Sequence, residues 1–306
     1  MTDPAAVHRF THQAMGTFFE VIVSGGEKAY AGQAAHAAFR EIDRLEQLFS
    51  RFDGRSEISG INRLKPGEKL PIGVEVFECL TIAEQVREET GGAFDINRRA
   101  WENRPKAPEG PEKDDRQEFL PAAFEVTESP TGFLFQRQKG PDPLPLALDI
   151  DLGGIGKGYA LDAALEVLAE WDIENVLIHG GTSTALGTGS APDAGEGQEG
   201  WPVGVGGGWP CLGIPREVHL VERALSGSGT DVKGAHIINP YDGKPARGHV
   251  AAWASHPTAA VADALSTAFM VLSTVELEDF CARYPDVWAL AVIGYGQCRV
   301  FNPDAL

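Results

Sequence analysis

Ala147-Leu148-Asp149-Ile150-Asp151-Leu152-Gly153-Gly154-Ile155-Gly156-Lys157-Gly158-Tyr159-Ala160-Leu161-Asp162 carries an apolar segment into four closely spaced glycines and then into a helical pattern. Leu144–Asp151 predicts a strand and Gly158–Glu170 a helix. Glycines let a backbone approach a ligand closely, and the free N–H groups at a helix start favour phosphate. Lys157 adds a point charge at the same place. Two nucleotide-binding patterns are excluded here. A Walker A loop needs glycine where Asp151 stands and Ser or Thr where Gly158 stands, and the dinucleotide pattern G-x-G-x-x-G fails at Tyr159. An ordinary tight strand-to-helix turn is the plain alternative.

On either side of this stretch the order of elements is mixed. Phe18–Val23 predicts a strand, and apolar residues at Ala35, Ala38, Phe39, Ile42, Leu45 and Phe49 predict an amphipathic helix over 29–49. A second helix is expected over Val74–Glu89, closed by Gly91-Gly92. Further strands are expected at Ala123–Thr127, Gly132–Gln136, Val176–His179, Val203–Val205, Val218–Val221, His249–Ala254, Trp288–Ile293 and Arg299–Phe301. Helices are expected at Ala259–Ser273 and Leu277–Arg283. Hairpin-like strand pairs lie between single helices without regular βαβ alternation, so the fold class is α+β, with mixed, mostly antiparallel sheets and packed helices. Charged and proline-rich residues 102–118 and glycine-rich residues 188–200 read as surface insertions in a single domain spanning 1–306.

The 306 residues are 43% hydrophobic and carry a formal charge of −18, which excludes a basic footprint for nucleic acid. An acidic protein that handles phosphate therefore needs local cations or a metal ion. No run reaches the ~18 apolar residues of a membrane span. The N-terminus lacks an apolar core behind a basic start, so the cytoplasm is the expected location, although a mature exported form would look the same. Cys79, Cys211, Cys281 and Cys298 lie far apart, which argues against zinc and makes a disulfide framework unexpected.

Asp263 and Thr267 stand four apart on one helix face and offer a carboxylate and a hydroxyl, hard oxygen donors suited to Mg²⁺ or Ca²⁺. The bland alternative is that Thr267 bonds back into its own helix while Asp263 complements the helix dipole. His236 heads a short apolar strand and is a candidate general base. Gly91-Gly92 before Ala93-Phe94-Asp95, and Gly180-Gly181, mark close backbone approaches.

Taken in order, Ala14-Met15-Gly16-Thr17, Glu41–Ser50, Ser56–Asn62, Gly92–Asp95, Asp151–Asp162, Gly180-Gly181, His236–Pro245 and Ala262–Thr267 resemble the FAD:protein FMN transferases, the ApbE family. The resemblance covers about residues 13–303. It implies a T-fold-related, duplicated architecture and an enzyme that moves FMN from FAD to a Thr or Ser hydroxyl of an acceptor flavoprotein subunit, releasing AMP. It also implies that Met15, Phe52, Ala93, Phe94, Asp95, Asp151, Lys157 and Ile237 contact FAD, with His236 beside them. Gly154, Asp263 and Thr267 would hold Mg²⁺, with Asp263 counted among the catalytic residues. Phe52 stands where the family usually has Tyr, Ile96-Asn97-Arg98-Arg99 replaces its usual continuation, and Asn239 replaces an Asp. An FAD pyrophosphatase and a flavin-binding protein without catalysis are the alternatives.

Overall fold

The computed structural model describes residues 6–103, 122–140, 146–192, 199–209, 211, 214, 216–230, 234, 236–294 and 296–306. In chain order its strands begin with β1 (Val7–Ala14), β2 (Thr17–Ser24), β3 (Lys69–Ile72), β4 (Phe124–Ser129), β5 (Gly132–Arg137), β6 (Val176–Gly180) and β7 (Thr184–Thr188). They continue with β8 (Trp201–Gly204), β9 (Glu217–Leu220), β10 (Arg223–Gly229), β11 (Ala251–His256), β12 (Trp288–Gly294) and β13 (Gln297–Phe301). The helices are α1 (Lys28–Phe49), α2 (Glu57–Asn62), α3 (Val74–Glu89), α4 (Gly156–Glu170), α5 (Ala259–Phe269) and α6 (Thr274–Arg283). Eight strands form one sheet in the order β1-β2-β6-β7-β10-β11-β12-β13. A second sheet runs β3-β5-β4, and β8 pairs with β9. All these pairings are antiparallel, so the chain adopts the expected α+β class.

The large sheet is buried on both faces. Val21, Val23 and Ile178 belong to the main core with the helices, whereas their neighbours Ile22 and Leu177 join Trp201, Leu220 and Trp288 on the other side. Period-two alternation along a strand produces this division. Cover on both faces also explains why the inner strands β6 and β12 read as nearly continuous apolar runs. Among the described residues, no helix is long and apolar enough to cross a membrane.

Three expectations need correction. The described part of the expected strand Leu144–Asp151 has no neighbouring strand, only a single bridge between Ile150 and Asn97. Asparagine amides serve its backbone instead. Asn62 accepts from Ile150 N at 2.7 Å and donates to its carbonyl at 2.9 Å. Asn97 accepts from Asp149 N at 3.0 Å, and Asn103 from Ala147 N at 2.7 Å. Paired backbone is obligatory in a buried segment, and side chains meet the demand here. The helix expected over Ala259–Ser273 ends at Phe269, because Ser273 begins α6 with a capping box to Glu276. A disulfide joins Cys211 to Cys298 across 87 residues of sequence. The fold brings the two cysteines together, which spacing alone does not reveal. Of the expected insertions, 104–118 and 193–198 lie outside the described residues.

Candidate functional site

Helix α5 is buried almost all round, with Ala259, Ala260, Ala262, Ala264 and Ala268 among its buried residues. Alanine favours helix and leaves room for close neighbours, here α4 on one side and β10 and β11 on the other. Gly158 sets the α4–α5 distance. A Cβ there would stand 2.2 Å from the Ala259 carbonyl oxygen, so only glycine fits. The two helices then cap each other. Asp162 of α4 accepts from Ala259 N at 2.7 Å and Ala260 N at 2.8 Å, and Asp263 of α5 accepts from Gly158 N at 3.3 Å. Burial pushes the Asp162 carboxyl up to about 6, against the opposing pull of its two N–H donors. Asp263 therefore complements the dipole of the neighbouring helix rather than its own.

A cavity of about 740 Å³ opens where this helix pair meets the end of the large sheet. Asp263, Thr267, Gly154 and Lys157 line it together, although α5 and the glycine turn lie about a hundred residues apart in sequence. A Cβ on Gly154 would stand 3.2 Å from Thr267 Oγ1, so a side chain there would fill the gap between them. Lys157 Nζ lies 3.1 Å from Asp263 Oδ2. Thr267 Oγ1 also donates to the Asp263 carbonyl at 3.2 Å, the local bond that the bland reading expected. Among the described residues, no group of three His, Cys, Asp or Glu side chains could hold a metal ion.

Met15, Phe94, Asp95, Asp151, His236 and Ile237 stand on the walls of the same cavity. Met15 and Gly16 form the two-residue turn between β1 and β2, both at positive φ (50° and 70°), as a type I′ hairpin requires. A methionine held at positive φ is strained, and its N–H donates to Glu46 Oε1 at 2.8 Å. Asp151 pairs with Arg51 at 3.3 Å and Arg98 at 3.7 Å, and Arg98 reaches Asp149 at 3.3 Å. These half-exposed pairs beside the cavity are worth at most about 1 kcal/mol each. His236 is exposed, with Nδ1 2.9 Å from the Gly234 carbonyl. A carbonyl only accepts, so Nδ1 carries the proton in that contact, and in the neutral ring the lone pair is then on Nε2.

Two expected wall residues are elsewhere. Phe52 is 85% exposed and stacks under the Arg51 guanidinium, 4.6 Å from its ring centre. It lies in a bend where Ser50 Oγ accepts from Phe52 N and Asp53 N, which leaves the ring in solvent. Ala93 is buried in the main core behind the wall; the turn at Gly91-Gly92 carries Phe94 and Asp95 to the cavity instead. Conversely, Trp209, Trp253, Arg98 and Ser228 line the cavity and were assigned no contact from the sequence, Arg98 being noted only as a departure from the family pattern. Thr184, Ser226 and Ser266 were missed as well; their hydroxyls surround Asp263. Cys79 is fully buried, and burial first and Asp263 second push its thiol up, so it is no nucleophile.

The sequence model of the ApbE family matches residues 15–291. The chain is 24% identical over 294 residues to the FAD:protein FMN transferase of Salmonella typhimurium, covering 89% of this chain and 80% of that protein. For the FAD:protein FMN transferase of Escherichia coli K12 the identity is 23% over 290 residues, with the same coverage. The flavin transferase ApbE of Vibrio cholerae superposes with a TM-score of 0.77 at 18% identity, over 99% of this chain and 98% of that one. The apo flavinyl transferase ApbE of Pseudomonas stutzeri gives 0.72 at 21% identity, over 96% and 94%. At these identities the likeness to the two structures establishes the fold.

Proposed function

The chain belongs to the ApbE family, and from that membership we propose that it transfers FMN from FAD to a Thr or Ser hydroxyl of an acceptor protein, releasing AMP. The observation that carries this reading is the meeting of Asp263, Thr267 and Gly154 beside Lys157 at the start of α4, in a cavity of about 740 Å³. That volume suits a ligand of this size. The donor set fits a hard divalent cation: a carboxylate, a hydroxyl and a backbone carbonyl are all oxygen donors of the kind Mg²⁺ takes. The Lys157 ammonium resting on Asp263 is a cation already standing at that carboxylate. Gly154, Asp263 and Thr267 would hold Mg²⁺.

When bound, Mg²⁺ would neutralise pyrophosphate charge and favour loss of the nucleotide leaving group. The chain's own groups supply the rest. The Lys157 ammonium attracts phosphate oxygens, since the Gly156 and Gly158 N–H groups at the start of α4 are already bonded to the Leu152 carbonyl and to Asp263. The acceptor hydroxyl oxygen bonds to the FMN-side phosphorus as the bond from that phosphorus to the bridging oxygen breaks, and AMP leaves with the bridging oxygen. His236 Nε2 is the free base on the wall to take the hydroxyl proton. Its exposure equally admits water, which would make the reaction FAD hydrolysis to FMN and AMP.

Flavin titrations with Mg²⁺ test the site assignment. FAD is expected to bind at least ~10-fold more tightly than FMN or riboflavin, since one charge-assisted hydrogen bond contributes about 1.5–3 kcal/mol. Equal affinities for the three flavins would remove the basis of the proposal.

A further inference from the structure

We infer that Ser226, backed by Thr184, is a positioning residue that holds the Asp263 carboxylate ready for a divalent cation; this rests on the metal site proposed above. Ser226 and Ser266 are fully buried, and Thr184 and Asp263 are 3% exposed. Burying four polar side chains in a seam between helix and sheet is costly unless their bonds are complete. Their bonds converge on one carboxylate. Asp263 Oδ1 faces Ser226 Oγ at 3.2 Å and Thr184 Oγ1 at 3.4 Å, while Oδ2 faces Lys157 Nζ at 3.1 Å and Gly158 N at 3.3 Å.

The proton count gives this cluster a direction. Each hydroxyl has one proton to donate, and a carboxylate only accepts. Ser266 donates to the Asp263 carbonyl at 3.0 Å. Of the two arrangements that the count leaves for Oδ1, the shorter contact favours Ser226 as its donor at 3.2 Å over Thr184 at 3.4 Å, with Thr184 donating to Ser226 at 2.9 Å. Ser228, on the cavity wall, completes the row by donating to Ser266 at 3.0 Å.

The anchor is the sheet. Ser226 on β10 and Thr184 on β7 are directly paired across the two strands, so backbone pairing sets the two side chains opposite each other, with their hydroxyls 2.9 Å apart. Asp263 sits on a helix, and its side-chain torsion is set from outside that helix. With Oδ1 tied to the sheet, Oδ2 is left toward Lys157 and the cavity. A hydroxyl present only to satisfy a buried carboxylate would affect stability. A positioning hydroxyl also affects the affinity of the folded protein for metal, where loss of a supporting partner typically costs ~10–100-fold.

Mn²⁺ titration of the flavin-free protein, read by the electron paramagnetic resonance of free Mn²⁺, separates the two. Ser226→Ala is expected to weaken Mn²⁺ binding ~10-fold or more, with Thr184→Val weakened in the same direction and Thr184→Ser near wild type. Excess metal should restore kcat, so that the defect lies in the metal requirement. Wild-type affinity in both Ser226→Ala and Thr184→Val would overturn the inference. If Ser226→Ala fails to fold, the Thr184→Val and Thr184→Ser pair decides. If the wild-type protein itself binds no Mn²⁺, the proposed metal site falls, and this inference with it.

Discussion

Asp263→Asn is expected to lose metal-dependent FAD turnover by more than ~100-fold, beyond the ~10–100-fold typical of losing a supporting partner, while remaining folded. The amide keeps an oxygen that can accept from Gly158 N, so the cap on α4 survives. What disappears is the charge. An amide cannot neutralise a divalent cation, and Lys157, 3.1 Å away, loses its counter-ion. AMP release measures turnover and thermal unfolding measures the fold. Normal turnover in this variant would reduce Asp263 to a helix cap.

Gly158→Val is expected to destabilise the protein by about 3 kcal/mol or to prevent its accumulation, because overpacking costs typically 1–3 kcal/mol and more where backbone must move. The obstructing atoms are the Ala259 carbonyl oxygen at 2.2 Å and Ala260 N at 2.7 Å, both in the first turn of α5. Moving them also breaks the two bonds that Asp162 accepts, leaving buried donors unpaired. Denaturant titration against Gly54→Ala makes the comparison, since an added Cβ at Gly54 meets nothing within 4 Å. Equal stability of the two variants would show that the helices do not need this close approach.

The helices with a strong apolar period were legible in the sequence, and so was the shared face of Asp263 and Thr267, because four residues advance about one helical turn. What sequence could not show was how the helices meet. The mutual capping of α4 and α5 depends on Gly158 and on two carboxylates, Asp162 and Asp263, just over a hundred positions apart. Strands β7 and β10 escaped notice because Thr184 and the Ser226–Gly229 run look like turn residues. Their place in the middle of a sheet comes from their neighbours. The extended segment before the glycine turn looked like a strand, since apolar content does not distinguish pairing by a strand from pairing by asparagines. Phe52 was assigned to the cavity through the family resemblance, whereas its bend leaves it in solvent.

Incubation of the protein with FAD, Mg²⁺ and an acceptor protein bearing an exposed threonine, followed by nucleotide chromatography and intact-mass analysis of the acceptor, tests the central claim most directly. The expected result is AMP and acceptor-bound FMN in equal amounts, both abolished by a chelator. Free FMN with AMP would favour water as the acceptor, and unchanged FAD would contradict the assignment of this site to pyrophosphate cleavage.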